Sequence, residues 1–278
     1  MHNHWQLPQG FHLIECRHGV MLANEHDHYI GNALIQYGEY SESELEVINQ
    51  LIDMSAGCVV EIGANIGSLT VPMARRAAQR GLEMYAYEPQ PFVFQNLCAN
   101  LALNMLTNVR AYPFACGAQP GVAYMQLPDY FTTNNFGAVE LKTDQAEGSI
   151  AVRCVTLDHE LEHQKVGLMK IDVEGWELPV LQGARRTIER CRPILYFEND
   201  RLAHSEALMR WVLDQGYRLW WHKPVLHNDN NFRNNPERKW ANVVSVNMIG
   251  IPQESGIGVQ GFEPALDPTQ HKGPGTAP

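Results

Sequence analysis

Val60-Glu61-Ile62-Gly63-Ala64-Asn65-Ile66-Gly67-Ser68 reads as the end of a buried strand, a bend bracketed by glycines and the opening of a helix. Just upstream, Cys58-Val59-Val60-Glu61-Ile62 is a short apolar run that stops at Gly63. Downstream, the spacing predicts a helix from Ile66 to Arg80, with Gly81 in the stop position. A second strand follows at Glu83–Glu88. Pro91 then opens a helix with Phe94, Leu97, Leu101 and Met105 on one stripe. Further strands are expected at Val109–Cys116, Val166–Asp172 and Ile194–Glu198, and around Tyr217–His222 and Val243–Met248. Helices are expected at Trp176–Arg190, with Pro179 in the first turn, and near Ser205–Gln215. Residues 117–165 are less regular and suit β-hairpins with a short helix. Strands separated by amphipathic helices imply an α/β fold with a doubly wound, mostly parallel sheet.

The alternating unit spans residues 41–250. Its first helix is N-capped by Ser41, with Glu44 three residues later as in a capping box. Residues 1–40 form a separate N-terminal cap with a hairpin-like stretch at Gly19–Asn24. Residues 251–278 carry five Gly and five Pro with few large apolar groups, the composition of a disordered tail.

Hydrophobic residues at 45% and charged residues at 19% exclude a wholly disordered chain. No apolar run reaches the ~20 residues of a membrane span, and Met1-His2-Asn3-His4-Trp5 does not begin a secretory leader. The net charge of −10 repels a phosphate backbone, so neither a membrane nor a nucleic-acid partner is expected. The basic pairs Arg75-Arg76 and Arg185-Arg186 read as solvated helix faces. Six scattered cysteines without a C-x-x-C pair fit reduced thiols in a cytoplasmic protein.

Open α/β sheets bind ligands beyond the carboxyl ends of their strands, which puts chemistry at the Gly63–Gly67 bend. The G-x-G-x-x-G dinucleotide fingerprint fails on spacing, and no Gly-Lys-Ser/Thr follows for a phosphate loop. A ligand with a carboxylate and an amino group but no phosphate fits better. Helix N–H groups can take the carboxylate, and Glu61 can attract the ammonium. S-adenosylmethionine has those groups. Glu88, ending the second strand, can accept hydrogen bonds from two ribose hydroxyls. A second constellation is Lys170-Ile171-Asp172-Val173-Glu174-Gly175, three charges ending the next parallel strand. Glu198-Asn199-Asp200 ends the strand after it. Asp172, Glu198 and Asn199 can bind a hard cation such as Mg²⁺ through oxygen, or equally hold substrate hydroxyls; no metal ligand is assigned.

At these residues the chain resembles the FkbM family of S-adenosylmethionine-dependent methyltransferases. The resemblance rests on Val59–Gly67, Tyr87-Glu88-Pro89, Asn96-Leu97-x-x-Asn100, Thr156-Leu157-Asp158, Lys170–Gly175 and Glu198, and covers about residues 40–200. Glu61 stands where many members have Asp. The resemblance implies a class I, Rossmann-like methyltransferase fold and O-methylation of a hydroxyl on a small metabolite or sugar. It implies a cofactor site of Glu61, Gly63, Ala64, Asn65, Gly67, Ser68, Glu88, Pro89, Cys116 and Asp172. Tyr37-Gly38-Glu39, Asn135-Phe136-Gly137, Trp221-His222-Lys223-Pro224 and Asn231-Phe232 resemble a subgroup and are expected around the acceptor pocket.

A hydroxyl acceptor benefits from a base that takes its proton. Asp172 is the first candidate, Glu174 and Glu198 follow, and His222 is the third choice because imidazole titrates near neutrality. One of Trp220 and Trp221 is expected to wall the pocket and the other to sit in the core. Asn228-Asp229-Asn230-Asn231 suits turns. His159 and His163 read as a solvated helix face rather than a zinc pair. The competing functions are an NAD-dependent oxidoreductase and a non-catalytic nucleoside-binding module.

Overall fold

The computed structural model describes residues 7–271. The chain opens with a hairpin, β1 (Phe11–Cys16) and β2 (Gly19–Asn24), then helix α1 (Ile30–Tyr37) and helix α2 (Glu42–Met54). The alternating unit follows as β3 (Cys58–Ile62), α3 (Thr70–Gln79), β4 (Met84–Tyr87), α4 (Pro91–Leu103) and β5 (Val109–Tyr112). A side sheet is built from β6 (Ala115–Cys116), β7 (Gly121–Met125) and β8 (Ile150–Val155), and is followed by the short α5 (Leu157–Glu160). The chain then returns through β9 (Val166–Ile171), α6 (Glu177–Gly183), α7 (Arg185–Cys191), β10 (Ile194–Glu198), α8 (Leu202–Asp214), β11 (Tyr217–His222), β12 (Asn247–Pro252) and β13 (Glu263–Pro264).

The main sheet runs β13-β11-β12-β10-β9-β3-β4-β5. The five strands from β10 to β5 are parallel, and β12 enters antiparallel beside β10. Chain order reverses direction between β3 and β9, so a crevice opens at their carboxyl ends. β3 is buried on both faces, as a central strand of a doubly wound sheet should be. On one face, Val59 packs with Leu45, Ile48 and Ile52 of α2 and Met73 of α3. On the other, Val60 and Ile62 join Val180, Leu181, Ile188 and Met209 from α6, α7 and α8.

Several local expectations shift. Helix α3 begins at Thr70, not Ile66. A start at Ile66 would put Pro72, which has no N–H, in the helix interior; a start at Thr70 puts it in the first turn. Met105 leaves the α4 stripe with φ +53° and is exposed. Pro113 interrupts the expected Val109–Cys116 strand, and Ala115–Cys116 pairs with β8 instead. The single helix at Trp176–Arg190 is two, broken at Ala184. There Gly183 lies so close to the Gly117 carbonyl that a Cβ would sit 1.9 Å from it. The last inner strand runs Asn247–Pro252 rather than Val243–Met248. Trp220 and Trp221 point to opposite faces of the sheet and both enter cores, so neither walls the cavity at the carboxyl edge. Ile251–His271 is not a loose tail. Ile251 and Ala265 are buried, β13 adds to the edge of β11, and His271 Nε2 bonds the Asn199 carbonyl at 2.9 Å. His2 and His4 lie outside the described residues.

The N-terminal hairpin is held to the main unit by two asparagines, Asn100 of α4 and Asn104 at its end. Asn100 Oδ1 accepts from Leu22 N–H at 2.7 Å, and Asn104 Oδ1 accepts from Val20 N–H at 3.1 Å. Their Nδ2 groups donate back to the Leu22 and Val20 carbonyls. Four helical residues rise about 6 Å, close to the roughly 6.8 Å of two strand residues. A helix thus reads a strand edge as a neighbouring strand would. Asn100 also donates to the Ile66 carbonyl at 2.8 Å, joining hairpin, helix and bend. Asn100→Ala should lower stability by about 2–3 kcal/mol, because it orphans buried backbone groups on two segments. Urea unfolding of the variant checks this, with a fall in midpoint at unchanged slope expected.

Candidate active site

A cavity of about 530 Å³ lies at the carboxyl ends of β3, β4, β9 and β10. Backbone geometry shapes its floor. Gly63 has φ +85°, and a Cβ there would fall 1.8 Å from the Asp172 carbonyl oxygen. The tails of β3 and β9 therefore approach as only glycine permits. Gly67, at φ +88°, lies behind the wall, where a Cβ would fall 2.8 Å from Leu97 Cδ1.

Glu61 and Lys170 are direct partners across β3 and β9. Both are buried, with Lys170 Nζ 3.7 Å from Glu61 Oε1 and 3.2 Å from Asp172 Oδ2. The Thr70 hydroxyl donates to Glu61 Oε2 at 2.7 Å. Burial raises the Glu61 pKa to about 7, against the pull of Lys170 and Thr70. Burial alone would lower Lys170, but Asp172, Glu61 and Glu44 together outweigh it and drive its pKa up. Lys170 is thus a fixed cation among carboxylates.

Glu44 reaches this group from α2. The Ser41 hydroxyl donates to Glu44 Oε2 at 2.8 Å, while Ser41 itself has φ +49° and caps no backbone N–H. The expected capping box is replaced by a bond that turns the Glu44 carboxyl inward. Burial raises its pKa.

Glu88 accepts from Asn65 N–H at 2.9 Å and Gln90 N–H at 2.8 Å, one on each oxygen. The Asn65 N–H of the bend is thus already committed to Glu88 rather than open to a ligand carboxylate. Each oxygen keeps a further lone pair for the cavity. Burial lifts the Glu88 pKa to about 7, opposed by the two N–H groups. Gln90 in turn donates to the Phe136 carbonyl at 2.8 Å and accepts from the Tyr130 hydroxyl at 2.9 Å. This ties the 126–149 loop over the cavity, where Asn135 and Gly137 join the wall.

At the far end stand Asp172, Glu174, Glu198 and Asp200. The Asp172 side chain is 40% exposed, accessible to an incoming proton donor. Glu174 has φ +55° and pairs with Arg201 Nη2 at 2.6 Å. Burial, then Asp172, push its pKa to about 8 against Arg201. Glu198 Oε2 is closed to water and has no hydrogen-bond partner. Its pKa lies well above the usual carboxylate range through burial, then Asp172 and Glu174. Met125, Val139, Leu141, Leu226, Val243 and Val246 supply an apolar wall.

The cavity thus gathers Glu61, Gly63, Ala64, Asn65, Ser68, Glu88, Pro89, Asp172, Glu174 and Glu198. It leaves out Gly67, Cys116 and His222. Cys116 is buried in the core on β6. His222 Nδ1 meets the Tyr196 hydroxyl at 2.8 Å and its ring packs on Phe262. Burial lowers its pKa to about 4, so it is a neutral core imidazole and not a base facing the cavity. Asn199 Nδ2 donates to Met248 Sδ at 3.1 Å. Among the described residues no group of three or more His, Cys, Asp or Glu side chains is placed to hold a metal ion. Glu39 and Asn228 brace the shell: Glu39 accepts from Arg17, Asn228 and Phe232 N–H. Glu44, Tyr40 and Gln90 also line the cavity, although the sequence pattern does not mark them for it. The one signal for Glu44 is a carboxylate beside the buried Leu45 stripe, which suits a capping box equally well.

The family model described as the methyltransferase FkbM domain matches residues 61–219, and the chain belongs to that family. Strand order and family together define a class I, Rossmann-like methyltransferase fold. Methyltransferase 1 of Beauveria bassiana (strain ARSEF 2860) is 28% identical over 144 residues, covering 45% of this chain and 57% of that protein. Methyltransferase sdnD of Sordaria araneosa is 30% identical over 158 residues, covering 45% and 59%. The match therefore spans less than two thirds of either relative. The crystal structure of methyltransferase FkbM from Methylobacillus flagellatus KT aligns with a TM-score of 0.42 and 17% identity, covering 70% of this chain and 43% of that one.

Lys170→Met should destabilise the protein by about 3–5 kcal/mol, since it leaves buried carboxylates without their cation. The deficit should be larger at pH 8 than at pH 5. Without the ammonium, Glu61 is held protonated by the fold, and a carboxyl with a raised folded pKa loses that contribution as pH rises. Urea unfolding at both pH values reads the difference; an equal deficit at each would contradict the pairing.

Proposed function

We propose that this chain transfers a methyl group from S-adenosylmethionine to a hydroxyl of a small molecule or sugar. The observation that carries this reading is the meeting of Glu61, Glu88 and Asp172, from three strand ends, in one cavity. The donor set fits the cofactor. Glu88 is held by two N–H groups and keeps lone pairs for ribose hydroxyls. Glu61 suits the ammonium. The lining holds seven carboxyl groups (Glu44, Glu61, Glu88, Asp172, Glu174, Glu198 and Asp200) against Lys170 and Arg201, and those that ionise suit the positive groups of the ligand. When bound, the cofactor supplies a methyl group already activated by a sulfonium.

The chain's own work is then to align and deprotonate the acceptor. Asp172 is held through Oδ2 by Lys170 and remains open to the cavity, so it takes the hydroxyl proton. Arg201 fixes Glu174 beside it. The apolar wall offers a surface for the C–H face of a ring.

Calorimetry with S-adenosylmethionine, then radiolabelled-methyl transfer into a cell extract, tests the assignment. Glu88→Ala should weaken cofactor binding about tenfold or more, the worth of one or two hydrogen bonds to a charged group. Asp172→Asn should leave that affinity within about twofold and lower turnover by about 10²–10⁴, the usual contribution of a positioned base. Unchanged affinity in Glu88→Ala would overturn the ribose placement.

A further inference from the structure

The carboxyl of Glu198 is unlike the others in the cavity. Glu61 has Thr70 and Lys170, Glu88 has two N–H groups, Glu174 has Arg201, and Asp172 has Lys170. Glu198 Oε2 has no partner and no contact with water. Oε1 makes no bond among the described residues either, so it is the oxygen that the cavity reaches. The acidic groups around it share its sign when ionised: Asp172 and Glu174 beyond β9, Glu177 on α6, and Asp200 in its own loop. The nearby guanidinium of Arg201 bonds Glu174 through Nη2, while its Nε lies 3.5 Å from Asp200 and makes no hydrogen bond. The Tyr40 and Tyr196 hydroxyls are buried within its electrostatic reach.

An ionised carboxylate needs donors, and the Oε2 end of this one has none, with Asp172 and Asp200 of like sign close by. A carboxylic acid needs less. Its carbonyl oxygen tolerates the dry pocket of Oε2, and its proton sits on Oε1, where it needs an acceptor from the cavity. Register fixes where that acceptor must be. Ile171 pairs with Phe197, so Asp172 and Glu198, the next residue on each strand, end side by side on adjacent parallel strands. Those strands run about 4.8 Å apart.

We propose that Glu198 is an uncharged hydrogen-bond donor that selects acceptors carrying oxygens on two adjacent carbons, one delivered to Asp172 and its neighbour to Glu198. This deepens the methyltransferase reading and rests on it. The reacting hydroxyl gives its proton to Asp172; the second oxygen receives the Oε1–H hydrogen bond and undergoes no chemistry. A vicinal diol or a hydroxyl beside a carbonyl meets the requirement, and a lone alcohol does not.

Two measurements test this on the full chain with S-adenosylhomocysteine bound. The first is an infrared difference spectrum of wild type minus Glu198→Gln at pH 7. A protonated carboxylic-acid carbonyl band is expected, and its absence would overturn the proposal. The second compares binding of trans-1,2-cyclohexanediol and cyclohexanol. Wild type should bind the diol about tenfold more tightly, the worth of one hydrogen bond. Glu198→Gln, whose amide still donates, should keep that preference, and Glu198→Leu should abolish it. A diol bound no better than cyclohexanol by wild type, or a preference that survives in Glu198→Leu, would overturn the assignment. Cofactor binding in the same samples separates the two readings. Loss of S-adenosylhomocysteine binding in wild type counts against the methyltransferase function. Intact binding without diol preference counts against Glu198 alone.

Discussion

The pairing of Glu61 with Lys170 across β3 and β9 is the constraint around which the site is built. It sits where the strand order reverses, so it fixes the crevice as well as its charge. An ammonium buried this deeply persists only because Asp172, Glu61 and Glu44 share it. In return it holds Asp172 at the rim and keeps the β3 and β9 ends together, so that Gly63 can pass against the Asp172 backbone. Glu44 arrives from α2, which ties the first helix of the domain to the same charge. Fold and site are not separable here: the residues that close the sheet's centre also set the electrostatics of the cavity.

A second tier holds the cavity's cover in place. Glu88 binds the bend after β3, and its neighbour Gln90 binds the 126–149 loop through Phe136 and Tyr130. On the outer side, Asn100 and Asn104 dock the N-terminal hairpin, and Asn24 of that hairpin donates to the Tyr130 carbonyl. The bend after β3, the 126–149 loop and the N-terminal hairpin thus share one network of hydrogen bonds, most of them from polar side chains to backbone groups.

Much of this was legible in the sequence, for physical reasons. Strand β3 and the bend at Gly63 stand out because a carboxylate closing an apolar strand, with glycines on the far side, lets a ligand approach both charge and backbone. Asp172, Glu174 and Glu198 stand out because charges at the ends of apolar strands are costly without a use. What was hidden depended on tertiary contacts. Glu44 imitated a capping box, and only the left-handed Ser41 reveals its inward turn. His222 looked chemically suitable, yet lies under Phe262 and against Tyr196 in the core. Trp220 and Trp221 obeyed strand alternation, but both faces of β11 are covered. Residues 251–271 looked loose by composition, and a few buried contacts from Ile251, Phe262 and Ala265 were enough to order them. Composition reports average cohesion, and cannot register an edge strand waiting for a partner.

The most direct measurement is a crystal structure of the full chain with S-adenosylhomocysteine bound. Expected are ribose hydroxyls on the Glu88 carboxylate, the ligand's ammonium facing Glu61, and its sulfur directed toward Asp172. A ribose held elsewhere with Glu88 still bonded only to Asn65 and Gln90, or a ligand seated outside the β3–β9 crevice, would contradict that arrangement.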